Sequence, residues 1–239
     1  MDEEEGGAAV RERILAGVDR LFYAQGIKSV GVDAIAAELG ISKKTLYRHF
    51  PSKDDLVIGY LQGRFRPMPE ASTKPPAEQI LANLEWIAHS LTSAGDFRGC
   101  AFLNVLAELG SEDCEVRELA VAYKESRRLW YRDLLSRLDV DDPDTLATQL
   151  ALLVDGAYAA VLIHQDPAKM RPAIAAARTL LKAAGVAIST GEAKSRESGG
   201  DKYSVRVLTM VDRDALPHQF LKSGRSHHVW CRPELEGSE

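Results

Sequence analysis

A short, strongly basic segment contains the side chains of this 239-residue sequence best suited to chemistry. Residues 41–50, ISKKTLYRHF, include two lysines, an arginine, a histidine and a tyrosine but no acid, although the whole chain has a formal net charge of −5. On a helix that begins after Ser42, Leu46 and Phe50 would share the buried face and leave the basic and aromatic groups outside. Lysine can donate to guanine O6 and N7, and Tyr, Thr and His can bind phosphates, so this surface fits the major groove of DNA.

The net positive charge lies in one part of the chain. Residues 10–66 contain 10 Lys and Arg against 6 Asp and Glu, a net charge of +4, whereas residues 67–239 carry −5. A charge run by itself is usually a solvated helix face. The short helix predicted before it, the turn at Gly40 and the absence of acids favour DNA binding over a solvated lysine face.

Apolar residues recur at helical spacing and predict an all-α protein. We expect a helix over residues 10–25, a short one that begins at Val32 and is broken by Gly40, a third that Ser42 caps, and a fourth that Ser52 caps. Two short helices joined by a glycine-containing turn indicate a helix-turn-helix within an N-terminal three-helix bundle. Further helices are predicted near residues 80–91, 116–138, 143–164 and 170–184, and residues 101–109 are a short apolar segment between the first two of them.

The most apolar run, residues 150–163, is predicted to be a buried helix rather than a membrane span. It has 14 residues and contains Asp155 and Gly156, whereas a membrane span needs about 20 apolar residues. The chain begins MDEEE, where a secretory signal would carry positive charge, so we expect a cytoplasmic protein without membrane contact. Because this helix is apolar nearly all round, it must be covered on both sides, and a second copy of the chain is the expected cover.

No pattern in the sequence indicates catalysis, a cofactor or a metal. Cys100, Cys114 and Cys231 are odd in number and form no CxxC pair, which argues against a disulfide framework or a zinc site. His227-His228-x-x-Cys231 indicates a metal only weakly. A Gly-rich phosphate loop, GxSxG and HExxH are all missing, so an enzyme built on Cys100 and a histidine is the least favoured alternative, and a redox sensor at Cys100 is less expected than a free buried cysteine.

The segment GVDAIAAELGISKKTLYRHFPSKDDL, residues 31–56, resembles the DNA-binding signature of the tetracycline-repressor (TetR) family of bacterial transcriptional regulators. The resemblance is carried by the Leu-Gly-Ile turn, Thr-Leu-Tyr, His49-Phe50 and the Pro-Ser-Lys that opens the fourth helix. It implies that Lys43, Lys44 and Arg48 face bases. It also implies that phosphates are held by Thr45, Tyr47, His49 and Lys53. Many members carry a threonine where this chain has Gly31, so nothing is assigned to that position.

The composition divides the chain into three parts. Residues 8–66 are predicted to form the helix-turn-helix domain, residues 67–189 a helical effector-binding and dimerisation domain, and residues 190–239 a disordered or weakly structured tail. The tail includes YSVRVLTMV, which alternates as a strand would. The effector function of the second domain is implied by the resemblance alone.

Aromatic and polar residues among apolar helical positions of the second domain are candidates for the effector pocket. They are Trp86, His89, Phe102, Asn104, Tyr123, Arg127, Trp130, Asp155 and Tyr158. The alternative is that the aromatics are core and the polar groups are paired. Asp155, expected to be a buried carboxylate, needs a partner such as Arg127, Arg178 or a cationic ligand.

The sequence predicts a homodimeric, sequence-specific DNA-binding regulator. The resemblance further implies that it is a repressor, which binds palindromic operator DNA and is released by a small-molecule effector. The alternative is an all-helical binding protein whose helix-turn-helix contacts protein or nonspecific DNA. No cofactor is expected for either.

Overall fold

A computed structural model describes residues 2–69, 73–93, 97–109 and 114–188. Within those ranges the regular elements are all helices, which confirms the predicted all-α fold with an N-terminal helix-turn-helix. The predicted strand after residue 202 and the candidate metal ligands at residues 227–231 lie outside the described residues. The helices are α1 (Asp2–Gln25), α2 (Val32–Glu38), α3 (Lys43–His49), α4 (Lys53–Arg64), α5 (Pro76–Ser93), α6 (Ala101–Leu109), α7 (Cys114–Leu135), α8 (Pro143–His164) and α9 (Arg171–Ala183), with a 3-10 turn at Pro167–Met170.

The first helix starts earlier than the apolar pattern predicts. The periodicity indicates a beginning at residue 10, but α1 begins at Asp2. Its first turn is acidic in sequence, and negative charge is favourable at the positive end of a helix dipole. The apolar periodicity therefore marks the start of the apolar face of α1 and not the start of the helix.

The chain forms two compact units. The first contains α1 to α4, α6 and α7 up to Ser126, and the second contains α5, the rest of α7, α8 and α9. The predicted boundary at residue 67 separates a DNA-binding domain from an effector-binding domain, so it concerns the functions of the two parts. Compactness does not test it, so it stays a prediction.

The core of the first unit holds the three N-terminal helices and α4 together. Apolar side chains from these helices are almost fully buried, each contributing about 1.5–3 kcal/mol. They include Ile14, Val18, Phe22, Ile35, Leu46, Phe50, Leu56 and Leu61. Arg64 of α4 donates to both carboxylate oxygens of Asp19 on α1, at 2.6 and 2.9 Å, and its guanidinium lies 3.9 Å from the centre of the Tyr23 ring. These contacts fix α4 against α1, and only three residues separate the end of α3 from the start of α4.

The second unit packs α8 against α9 and the 3-10 turn, and α9 against α5. Tyr131 is fully buried there and donates from its hydroxyl to Asn83 Oδ1 at 2.8 Å. Burial raises the pKa of the Tyr131 phenol, which keeps it a donor. Asp155 is partly exposed, so the expectation of a buried carboxylate is wrong, and the solvent reduces the cost of its charge.

Helix α8 has a buried face and an exposed apolar face. Ala157 and Val161 are buried within the chain itself, at 4% and 1% exposure, whereas Leu152 and Ile163 are 64% and 74% exposed. Ala157 and Val161 are therefore not available to a second copy of the chain, whereas the exposed apolar face of α8 is, because α9 and the 3-10 turn pack on α8. By length and composition α8 could also cross a membrane, but the core helix of a soluble protein has the same properties.

Candidate nucleic-acid interface

The turn between α2 and α3 is built around a glycine. Gly40 adopts a left-handed conformation with φ +62°, which a side chain would strain. The Gly40 N–H donates to Ala37 O at 3.2 Å and the Ile41 N–H donates to Ala36 O at 3.0 Å. These bonds satisfy carbonyls at the end of α2 and turn the chain into α3, as a helix-turn-helix requires.

Local contacts set the start and the rotation of α3. Ser42 Oγ accepts from the Thr45 N–H at 3.0 Å, which confirms Ser42 as the helix cap. Leu46 and Phe50 are 0% and 2% exposed, so they anchor the inner face as the sequence predicted. The guanidinium of Arg11 on α1 lies 4.7 Å from the centre of the Phe50 ring, so a cation–π contact also ties Phe50 to α1.

The outer face of α3 is basic and aromatic. Lys43, Lys44, Tyr47 and Arg48 are exposed, with Tyr47 at 46%. Within the described part of the chain Lys44 and Arg48 have no ion-pair partner, so their charges are available to a ligand. This arrangement can contact an anionic groove, and the base-facing roles given to Lys43, Lys44 and Arg48 stay a prediction.

The three partly buried groups assigned to phosphates are held in different ways. The Thr45 hydroxyl lies 2.9 Å from Ser42 Oγ. Lys53 Nζ donates to Ile27 O at 2.7 Å, so its ammonium already binds the turn between α1 and α2. His49 Nε2 is buried and has no hydrogen-bond partner in the described residues, so a phosphate contact would have to use Nδ1. Their phosphate roles also stay a prediction.

The turn between α1 and α2 is fastened by α6, a contact that sequence reasoning missed. Glu108 Oε2 accepts from the Lys28 N–H at 2.9 Å. Gly26 has φ +86°, and a Cβ at that position would lie 2.8 Å from Glu108 Oε1. The Tyr23 hydroxyl donates to Gly99 O and accepts from the Arg98 N–H, both at 3.0 Å. The one signal in the sequence was Gly26, which marks a turn but not its distant partner.

The structure places the nine candidate effector residues in both units. In the first unit Phe102 stacks on Tyr123 with ring centres 4.0 Å apart, and Phe65 meets Tyr123 edge-on at 5.2 Å. Asn104 Nδ2 in that unit donates to Arg98 O at 2.7 Å. Phe102 and Tyr123 are buried, as core aromatics would be.

The remaining six candidates, Trp86, His89, Arg127, Trp130, Asp155 and Tyr158, belong to the second unit. Trp86 is 44% exposed, Arg127 is 5% exposed, and Trp130 Nε1 donates to Pro69 O at 3.1 Å. An open cleft of about 510 Å³ in this unit is lined by none of them. Its lining residues fall within two stretches, Val140 to Gln149 and Leu180 to Gly185. The effector assignment of the nine residues stays a prediction.

Two family models match the chain. Residues 14–59 match the model described as bacterial regulatory proteins, TetR family. Residues 76–176 match the C-terminal domain of LmrA/YxaF-like transcriptional regulators. The first match contains α2, α3 and the turn between them.

Individual proteins resemble the chain over most or part of its length. The HTH-type transcriptional regulator YjdC of Escherichia coli is 23% identical over 179 residues, 72% of this chain and 93% of YjdC. The HTH-type transcriptional regulator LmrA of Bacillus subtilis is 34% identical over 124 residues, 48% of this chain and 65% of LmrA. Among solved structures, a TetR-family transcriptional regulator from Streptomyces coelicolor has 31% identity and a TM-score of 0.65, covering 75% of this chain and 96% of its own.

Proposed function

We propose that this chain is a cytoplasmic homodimeric repressor, which reads a palindromic operator with α3 and is released by a small molecule. The chain belongs to the TetR family of bacterial transcriptional regulators. Its membership confirms the prediction of a DNA-binding regulator rather than an enzyme. The observation that carries the proposal is the exposed, acid-free outer face of α3, anchored from within by Leu46 and Phe50.

Recognition would divide between bases and phosphates. Lys44 and Arg48 are exposed long cations one helical turn apart, so both can enter a major groove and donate to guanine O6 and N7. Tyr47 on the same face and Thr45 at the helix start can bind phosphates, which fixes the register of α3 on the duplex. Base contacts of this kind supply the sequence specificity.

The exposed face of α8 supports a homodimer. Leu152, Gly156, Ala159 and Ile163 are exposed and follow each other at intervals of four, three and four residues, which places them on one stripe. A Cβ at Gly156 would meet nothing within 4 Å, so the stripe offers a partner close access to the α8 backbone. A symmetric pair would carry two α3 helices spaced for successive major grooves, about 34–36 Å apart or a multiple of that.

Release by an effector requires coupling between two conformations. A hundredfold loss of operator affinity corresponds to about 2.7 kcal/mol of coupling. The ligand must bind the released conformation more tightly by that amount, since a ligand with equal affinity for both conformations shifts nothing. A small, largely apolar molecule bound within residues 67–189 fits the aromatic side chains there, and Trp86 and Trp130 supply a fluorescence signal for titration.

Selection of bound sequences from a random duplex pool tests the proposal. A recovered palindrome, bound far more tightly than a scrambled duplex as salt increases, is the expected result. Equal affinity for both duplexes at every salt concentration would contradict operator recognition and favour nonspecific DNA binding. Failure to bind either duplex would favour a helix-turn-helix that contacts protein.

A further inference from the structure

Asp33 is an acid in contact with the basic face of α3. It lies in the first turn of α2, where it is the only charged side chain, and it forms an ion pair with the ammonium of Lys43, the first residue of α3. The Asp33 and Lys43 side chains are 76% and 58% exposed. An acid on a surface that binds a polyanion weakens binding by its charge alone. The position of Asp33 therefore has a cost for DNA affinity.

While it is paired with Asp33, Lys43 can contact a base edge more easily than a phosphate. The Lys43 ammonium has three N–H donors, and a single carboxylate oxygen occupies only one of them. Lys43 can therefore stay beside Asp33 and still donate to guanine O6 or N7. A phosphate is anionic like Asp33, so a phosphate contact would bring two negative groups to one ammonium or would require Lys43 to leave the pair.

The start of α2 reinforces this difference. Gly31, the cap residue of α2, provides no side-chain hydrogen bond, so this helix end has no hydroxyl to offer a phosphate. The negative charge of Asp33 instead sits where the helix dipole would otherwise attract an anion.

We infer that Asp33 is a positioning residue that keeps Lys43 available for a guanine edge and away from the phosphates. It lowers affinity for random DNA and so raises the preference for the operator. The inference rests on the proposed sequence-specific binding and deepens it, because it assigns a specificity role to a residue outside α3.

Glu38 provides a matched control. It is the last residue of α2, is 52% exposed, and pairs with Arg20 at 3.9 Å. Glu38→Gln and Asp33→Asn therefore each remove one negative charge and one exposed ion pair from the same helix, but only Asp33→Asn frees a cation of α3.

The experiment measures binding of the full chain to two probes across a range of salt. One probe is the duplex that the wild-type chain recovers from a random pool, and the other is its scrambled sequence. The proteins are wild type, Asp33→Asn, Glu38→Gln, Lys43→Ala and the double variant Asp33→Asn/Lys43→Ala. Circular dichroism checks that each variant is folded.

Asp33→Asn should bind the scrambled duplex about two- to fivefold more tightly, since an exposed ion pair is worth up to about 1 kcal/mol. Its slope of log affinity against log salt should steepen by about 0.9, the value for one added phosphate contact. The ratio of affinities for the two duplexes should fall by at least the same factor. Glu38→Gln should leave the ratio and the slope unchanged, and Asp33→Asn should not alter the ratio when Lys43 is already alanine.

Two results would overturn the inference while leaving operator recognition intact. One is equal behaviour of Asp33→Asn and Glu38→Gln, which would reduce the effect to net charge. The other is weaker binding of Asp33→Asn to the scrambled duplex. If the wild-type chain itself does not prefer the recovered duplex, the proposed function fails, and the inference fails with it.

Discussion

Replacing Gly26 by alanine tests how strongly α6 holds the turn that precedes the helix-turn-helix. Gly26 has φ +86°, a conformation that costs a residue with a Cβ about 1–2 kcal/mol. The added Cβ would also lie 2.8 Å from Glu108 Oε1. Glu108 must shift to relieve that overlap, and we expect the shift to cost its bond to the Lys28 N–H.

The second contribution is the loss of that hydrogen bond. The bond is exposed, so its loss is worth about 0.5–1.5 kcal/mol. Together with the backbone strain, Gly26→Ala should destabilise the fold by about 1.5–3.5 kcal/mol. Gly40→Ala is the matched control, because Gly40 also has positive φ but a Cβ there would meet nothing within 4 Å. It should cost only the strain of about 1–2 kcal/mol.

Urea unfolding followed by far-UV circular dichroism, at one protein concentration, measures both free energies. Gly26→Ala and Glu108→Ala should not be additive, since each one breaks the same bond to Lys28. Equal destabilisation by Gly26→Ala and Gly40→Ala would contradict the role of Glu108 in holding this turn. So would full additivity of Gly26→Ala with Glu108→Ala, because α6 would then not hold the turn through Glu108.

Three further predictions concern the helix ends and α8. Gly31→Ser should add the missing side-chain cap of α2 and raise the urea midpoint by an amount equivalent to a few tenths of a kcal/mol; a lowered midpoint would contradict it. The Thr145 N–H donates to the Asp142 carboxylate and lowers its pKa. The stabilisation of the fold by this hydrogen bond is therefore present above the unfolded pKa of about 3.9 and is lost as pH falls through the folded pKa. Asp142→Asn keeps a cap without a titrating group, so its urea midpoint should fall less than that of wild type on acidification, whereas parallel pH curves would exclude the linkage. Leu152→Glu/Ile163→Glu should give a folded monomer with weakened operator binding in sedimentation and binding assays, and an unchanged dimer would rule out this stripe as the interface.

The sequence predicted the parts of the fold that depend on near neighbours. Ser42 caps α3 through a residue three positions away, and Leu46 and Phe50 share a face because they are four residues apart. Such relations are visible in a linear pattern. For the same reason the exposure of Tyr47 and of the α3 cations was predicted from helical spacing alone.

Contacts between distant residues could not be predicted in this way. Glu108 reaches a backbone N–H 80 residues away, and nothing in its local sequence indicates that partner. Lys53 binds Ile27 O across 26 residues, which the family signature cannot reveal. The buried and exposed faces of α8 could not be told apart either, because a helix that is apolar nearly all round has no periodic signal that distinguishes core from surface.

The most direct test of α3 as the recognition helix is the binding of Lys44→Ala to the recovered duplex and to a set of duplexes with each base pair substituted in turn. If α3 reads the operator, Lys44→Ala should lose about 1–3 kcal/mol on the recovered duplex and tolerate substitution at one position of each half-site. Lys182→Ala, which removes a lysine from the last turn of α9, should keep the wild-type pattern of preferences. If operator affinity and base preference survive in Lys44→Ala, and also in the triple alanine variant of Lys43, Lys44 and Tyr47, then α3 is not the recognition helix.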